Sequence, residues 1–188
     1  MKKALLFVSV LFVSVMTTAC INNFAVQELN TKAKLYMEQG DYAAAVERLK
    51  SSIDLDDSNF ETHYNLGVAY TQLEDYTNAI NQYKEALALN NQHSDLYYSL
   101  AVAEENLAID LASGHIIVDE NGVLHQIQGE NLVEVGEKLS DKVQELVNFY
   151  NAEAIKNYEL YLDVSSNAPD REDVISKIDS LKKESKDN

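Results

Sequence analysis

The chain has 188 residues, long enough for one domain with a sizeable core. It carries 31 acidic against 15 basic side chains, a formal charge of −16, and that field disfavours nucleic-acid backbones as partners. With no Trp, a single Pro and 46% hydrophobic residues, the composition excludes a disordered chain; most of the acid reads as solvated surface, and the partner it would attract is basic.

The first twenty residues differ from the rest. Lys2 and Lys3 supply positive charge, and "ALLFVSVLFVSVM" from Ala4 to Met16 is uncharged and apolar. Thirteen residues are too few for a lasting membrane span, which needs about 20. A charged start, a short apolar middle and a small-residue end describe a signal peptide over residues 1–19. The stretch closes on "TTAC", and Cys20 is the sole cysteine. This resembles a bacterial lipobox, with Thr17 where an aliphatic residue is usual; the alternative is ordinary cleavage after Ala19. The resemblance implies that Cys20 takes a diacylglyceryl group, with residues 20–25 a short lipidated linker. Ile21 in place of Asp implies an outer membrane facing the periplasm in a Gram-negative cell, and otherwise the cell surface.

From Val26 the chain echoes itself. Residues Val26 to Asn59 overlie Phe60 to His93 without a gap, at an offset of 34: Tyr36 falls on Tyr70, "GDYAAAV" on "EDYTNAI". Each unit reads as two amphipathic helices broken near Gly40-Asp41 or Glu74-Asp75. The second unit carries His63, Leu66, Gly67, Tyr70, Ala79, Tyr83 and Ala86, and in these residues it resembles the tetratricopeptide repeat (TPR) family. His63 replaces the family's Trp and Asn91 its terminal Pro; the first unit matches at Ala33, Tyr36, Gly40, Ala45 and Leu49, with Lys32 where Leu is usual. The expected role of Gly67 is close approach of one helix backbone to its partner, with Ala79 doing the same from the other side.

A third unit opens at Ser94 with "LYYSLAVAEENLA", and the register then slips. Helix is expected to continue to Leu111. Two short β-favouring runs around Asn121-Gly122 predict a tight hairpin with Ile116, Val118, Val123 and Ile127 on one face. Asn131 and Glu134 predict a capping box opening a long helix that runs on through "AEAIKNYELYL". An insertion over about 113–150 thus lengthens a third repeat spanning 94–165. A last helix from about Pro169 to 184, with Val174, Ile175, Ile178 and Leu181 inward, caps the stack. The predicted fold is all-α: a helical-hairpin solenoid over 26–182 with a small β-hairpin insertion and a C-terminal capping helix.

Nothing in the sequence asks for catalysis. His63 reads as a packing residue, and His93, His115 and His125 lack the neighbours of a metal site. "DLDD" lacks the Gly and terminal Glu of a calcium loop, and there is no phosphate-cradling glycine loop. No enzyme activity, cofactor, metal or small-molecule substrate is expected. The resemblance implies a groove lined by first helices, here Asn30 and Lys34, then Tyr64, Asn65 and Val68, then Tyr98 and Val102. Met37, Gln72 and Glu105 also count among first-helix residues free of packing duties. The family's clamp for chaperone carboxylates needs several bases; its lining here would be Asn30, Lys34, Asn65, Asp95 and Ser99, which argues against that role. Expected instead is an envelope-anchored scaffold holding a protein or peptide partner by stacking and amide hydrogen bonds. The alternative is an assembly factor, or a pilotin-like lipoprotein, for a pilus, secretion pore or outer-membrane machine, docking through the inserted hairpin and long helices.

Overall fold

The computed structural model describes residues 22–127 and 140–187. The expected signal peptide, Cys20 and the expected capping box at Asn131 and Glu134 lie outside the described residues. Within them are seven α-helices and one two-stranded antiparallel sheet. The first repeat pairs α1 (22–38) with α2 (Tyr42–Leu55). Residues 22–25, expected as linker, already belong to α1. The second pairs α3 (Phe60–Gln72) with α4 (Tyr76–Leu89), and the third pairs α5 (Ser94–Ser113) with α6 (Asp141–Val164). The last helix is α7 (Arg171–Asp187). No described helix is long and apolar enough to cross a membrane.

Local chemistry sets these boundaries. Asp41 caps α2 by accepting from the Ala44 N–H at 3.0 Å, and its echo Asp75 caps α4 from the Asn78 N–H at 3.3 Å. The residue before each cap turns left-handed: Gly40 at φ 76°, and Glu74 at φ 60°. Glycine adopts that conformation freely, whereas Glu74 is strained there. Both second helices end on extended residues, Asp56 and Asn90.

Each repeat hides one face of its helices against the next, so the core runs along the stack in three linked clusters. Ala33, Ala45, Leu49, Leu66 and Ala69 join the first repeat to the second. Tyr83, Ala86, Leu96, Leu100 and Leu107 join the second to the third. Ala101, Tyr158, Tyr161, Val174 and Ile178 seat α7 on the third.

Gly67 does its work differently from expectation. A Cβ built there would lie 2.5 Å from Tyr83 Cε1, so the glycine makes room for a buried ring lying against α3 rather than for another backbone. The preceding unit solves the same contact with the smaller pair Ala33 and Leu49, both fully buried.

The insertion and the last helix depart from expectation at three places. The hairpin β1 (Ile116–Val118) to β2 (Leu124–Gln126) pairs Val118 with Leu124 and Ile116 with Gln126. Its loop has three residues, 120–122, closed by Asp119 N–H to Val123 O at 3.0 Å with Gly122 at φ 86°. Asp119 holds it, accepting from the Asn121 and Val123 N–H groups at 2.8 and 2.9 Å; the Val123 N–H first, then His125, keeps that carboxyl below its ordinary pKa. A two-residue Asn-Gly turn would have shifted the register by one and turned Val123 inward. Instead Leu124 packs inward with Ile116 and Val118, and Val123 is exposed. In α6, Ser140 is an extended N-cap accepting from the Val143 N–H, so no single helix runs from Asn131 to Leu162. In α7, Pro169 sits in the turn before Arg171, and Ile175 faces solvent while Val174, Ile178 and Leu181 are buried.

Candidate peptide groove

The first helices of the repeats, α1, α3 and α5, together with α7, present one side of the stack. Two crevices between neighbouring first helices contain most of the sequence-predicted groove residues.

The crevice between α3 and α5 has a volume of about 250 Å³ and brings together Tyr64, Val68 and Gln72 with Tyr98, Ser99 and Val102. On α3 these positions recur every four residues, and on α5 Val102 stands four after Tyr98 and three after Ser99, which keeps them on one stripe. Its aromatic walls are held from behind. The Tyr64 ring lies 6.1 Å from Tyr83 and 5.7 Å from His93, and stacks on Phe60 at 6.2 Å. The Tyr98 ring lies 5.3 Å from Tyr161 and 5.7 Å from Tyr158. At the floor, the Thr71 hydroxyl donates to Gly67 O at 2.9 Å, leaving the Tyr83 hydroxyl to donate to Thr71 at 3.1 Å. Burial pushes the Tyr83 phenol up to about 12, so it stays a neutral donor.

The crevice between α1 and α3, about 260 Å³, contains Asn30, Lys34 and Glu61. Asn30 is not a free ligand contact as expected. Its Nδ2 donates to Ser52 Oγ and to Thr62 Oγ1, both at 2.9 Å, and those hydroxyls are fully buried. The amide therefore fastens α1 to α2 and α3. Lys34 is the one base lining either crevice among the described residues, and its Nζ stands 3.9 Å from Glu61. Asn65 is half-buried and lines neither crevice.

Glu105, expected to be free of packing duties, is tied down. It accepts from the Tyr158 hydroxyl at 2.5 Å and pairs with Lys177 of α7 at 3.0 Å. Its neighbour Glu104 was not singled out from the sequence and is the most constrained charge here. Its side chain is fully buried where α4, α5 and α6 meet. Asn157 donates to Oε2 at 2.7 Å; Oε1 has no hydrogen bond, and Lys84 Nζ is 3.9 Å from it. Burial, only partly offset by Asn157 and Lys84, raises this carboxyl to about 7. The offset of 34 would have marked it, since Glu104 stands where Tyr36 and Tyr70 stand.

The remaining histidines have local partners. His63 contacts Gln82 Oε1 and Asp57 O, each at 2.9 Å, and His125 contacts Asp119 at 3.1 Å. Among the described residues no group of three or more His, Cys, Asp or Glu is gathered as metal ligands would be.

A TPR repeat family matches residues 33–73, and the tetratricopeptide repeat family matches residues 60–93. Neither is a catalytic family. No curated relative matches the chain. Among solved structures, the first TPR domain of human RPAP3 superposes with a TM-score of 0.59 at 20% identity, covering 87% of this chain and 96% of that one. The first TPR of Spaghetti (RPAP3) bound to the HSP90 peptide SRMEEVD gives 0.57 at 20% identity, covering 82% and 90%. The Yersinia enterocolitica type III secretion chaperone SycD, in complex with a peptide of the translocator YopD, gives 0.53 at 14% identity, covering 85% and 91%. The repeats read from the sequence at residues 33–93 are thus tetratricopeptide repeats, and the chain folds as a TPR-type helical solenoid.

Proposed function

We propose that this protein is a scaffold, exported and anchored through Cys20, that holds an uncharged or basic segment of a protein partner in the crevice between α3 and α5. One observation carries the reading: that crevice is walled by pre-positioned Tyr64 and Tyr98 over Val68 and Val102, and no unpaired base lines it. Rigid aromatic walls give contact area at low entropic cost. The related folds that bind SRMEEVD or a YopD peptide support peptide capture as the mode. An acidic peptide such as SRMEEVD would meet a chain of charge −16 whose groove lysine is already beside Glu61. Repulsion of that kind selects against acidic partners.

The test pans the full chain against displayed random peptides. Wild type is expected to enrich binders that the double variant Val68→Arg, Val102→Arg fails to hold while keeping its helical circular dichroism. Equal capture by the folded double variant would overturn the reading. Anchoring is checked by labelled palmitate in cells, incorporated by wild type and lost in Cys20→Ser; an unlabelled wild type would contradict it.

One observation favours a second reading, an assembly factor docking through the insertion. Val123 and Phe149 are both about half exposed, beside a recess of about 320 Å³ between the hairpin loop and α6. Lys142 fixes that recess by donating to Asp119 O at 2.8 Å. Val123→Asp with Phe149→Asp would then abolish partner capture that the groove variant spares.

A further inference from the structure

We infer that the lengthened third repeat builds a second seat for the same partner, a crevice between α5 and α7 that takes an aliphatic side chain next to a cationic one. The inference rests on the proposed peptide-binding reading and says which residues the partner must carry.

The seat is a product of the insertion. α3 ends at Gln72, whose equivalent is Asn106, yet α5 continues to Ser113, about two more turns. Likewise α4 begins at Tyr76, which aligns with Asn151 when Ala79 is laid on Ala154, while α6 begins ten residues earlier at Asp141. These extra turns supply Ile109 and Ala112 on one side and Val147 beneath. α7 closes the other side with Lys177, Ser180 and Glu184. The space is about 310 Å³, at the small end for a ligand pocket, which suits side chains rather than a whole helix.

Its chemistry selects the occupant. The base is mostly apolar, with Ala108, Val147 and Leu181 beside the buried Asn151, and Ile109 remains 55% exposed with nothing over it among the described residues. The one base on the rim, Lys177, is held by Glu105 at 3.0 Å and lies 5.8 Å from the centre of the Tyr158 ring. Glu184 has no ionic partner among the described residues. An aliphatic side chain fills the base, and a lysine or arginine beside it meets Glu184 in the field of a strongly acidic chain. Neighbouring packed helices lie about 8–10 Å apart. The α5 residues of this crevice also lie about nine positions beyond those of the α3–α5 crevice, about 13 Å along the helix axis. With an extended strand advancing about 3.3 Å per residue, the anchor here follows the one for the α3–α5 crevice by roughly five residues.

The test uses the peptides enriched by panning on the full chain, titrated against wild type, Ile109→Asp, Ser180→Trp and Glu184→Lys. Ile109 and Ser180 are exposed, so the folded state is retained and is checked by circular dichroism. Expected is an aliphatic-basic pair among the enriched sequences, about tenfold weaker binding by Ile109→Asp or Ser180→Trp, and a several-fold loss with reduced salt dependence in Glu184→Lys. Peptides lost by Val68→Arg, Val102→Arg but bound unchanged by the Ile109 and Ser180 variants would overturn this seat and leave the groove standing. Peptides indifferent to both sets would overturn both.

Discussion

The second and third repeats place the same backbone positions side by side and fill them differently. In the second, Gly67 receives the Tyr83 ring, Tyr70 is half-buried, and the Tyr83 hydroxyl meets Thr71. In the third, the equivalents are Ala101, Glu104 and Glu105, with Tyr158 in place of Tyr83. The tyrosine hydroxyl still reaches the same point on the first helix, but there it meets a carboxylate that also pairs with Lys177 of α7. Next to it, a carboxyl has taken the place of an aromatic ring and is buried. A neutral, close-packed unit and a charged, lengthened one thus share one architecture. The difference teaches that the repeat tolerates changes of chemistry at its buried positions, at a cost where the new group is only half satisfied, as Glu104 is with Oε2 bonded and Oε1 not.

The largest break of this comparison is Gly67→Leu. Its Cβ would lie within 2.6 Å of two Tyr83 ring atoms, and a buried ring has nowhere to move. Thermal unfolding is expected to show a loss of about 3 kcal/mol, several degrees in Tm. Transplanting the first repeat's solution, Gly67→Ala with Tyr83→Leu, should cost less than the two single changes summed. Additive losses would show that Gly67 and Tyr83 are not coupled.

Glu104→Gln comes next. Free glutamate titrates near 4.5, and the folded group near 7. Between those values only the folded state keeps the proton, so stability falls as pH rises through that window and levels off above it. Replacement by Gln removes the penalty. It is expected to stabilise the protein by about 2–3 kcal/mol at pH 8 and to flatten the denaturation midpoint between pH 5 and 7. A variant equal to wild type at pH 8 would show that the carboxyl is already ionised at little cost.

Smaller effects sharpen the comparison. Glu74→Gly copies Gly40 into the strained left-handed position and should raise stability by about 1 kcal/mol, read from denaturant midpoints. Lys177→Met removes a partly exposed pair, with an expected loss of at most about 1 kcal/mol that shrinks in high salt.

How much of this was legible beforehand follows the same division. The echo at 34 residues exposed the helix pairs, and with the register known, Tyr64, Val68, Tyr98 and Val102 could be placed on one side. The role of Asn30 is hidden in the sequence because its partners Ser52 and Thr62 lie on two other helices, and an amide gives no sign of burial until those helices meet. The hairpin face slipped by one residue because Asn121-Gly122 signals a two-residue turn, while the Asp119 carboxyl stabilises a three-residue loop. Glu104 sits at a recognisable repeat position, but glutamate is so rarely buried that it reads as surface. Its partner Asn157 lies beyond the insertion, 53 residues on. Where the chain repeats itself, sequence distance maps onto space; in the lengthened repeat that map is lost.

Central to the account is a groove formed by first helices. Amide chemical-shift mapping during titration with an enriched peptide tests it most directly. Shifts are predicted at Tyr64, Val68, Gln72, Tyr98 and Val102, spreading to Ile109 and Ser180. Shifts confined to the second helices, α2 and α4, would contradict it.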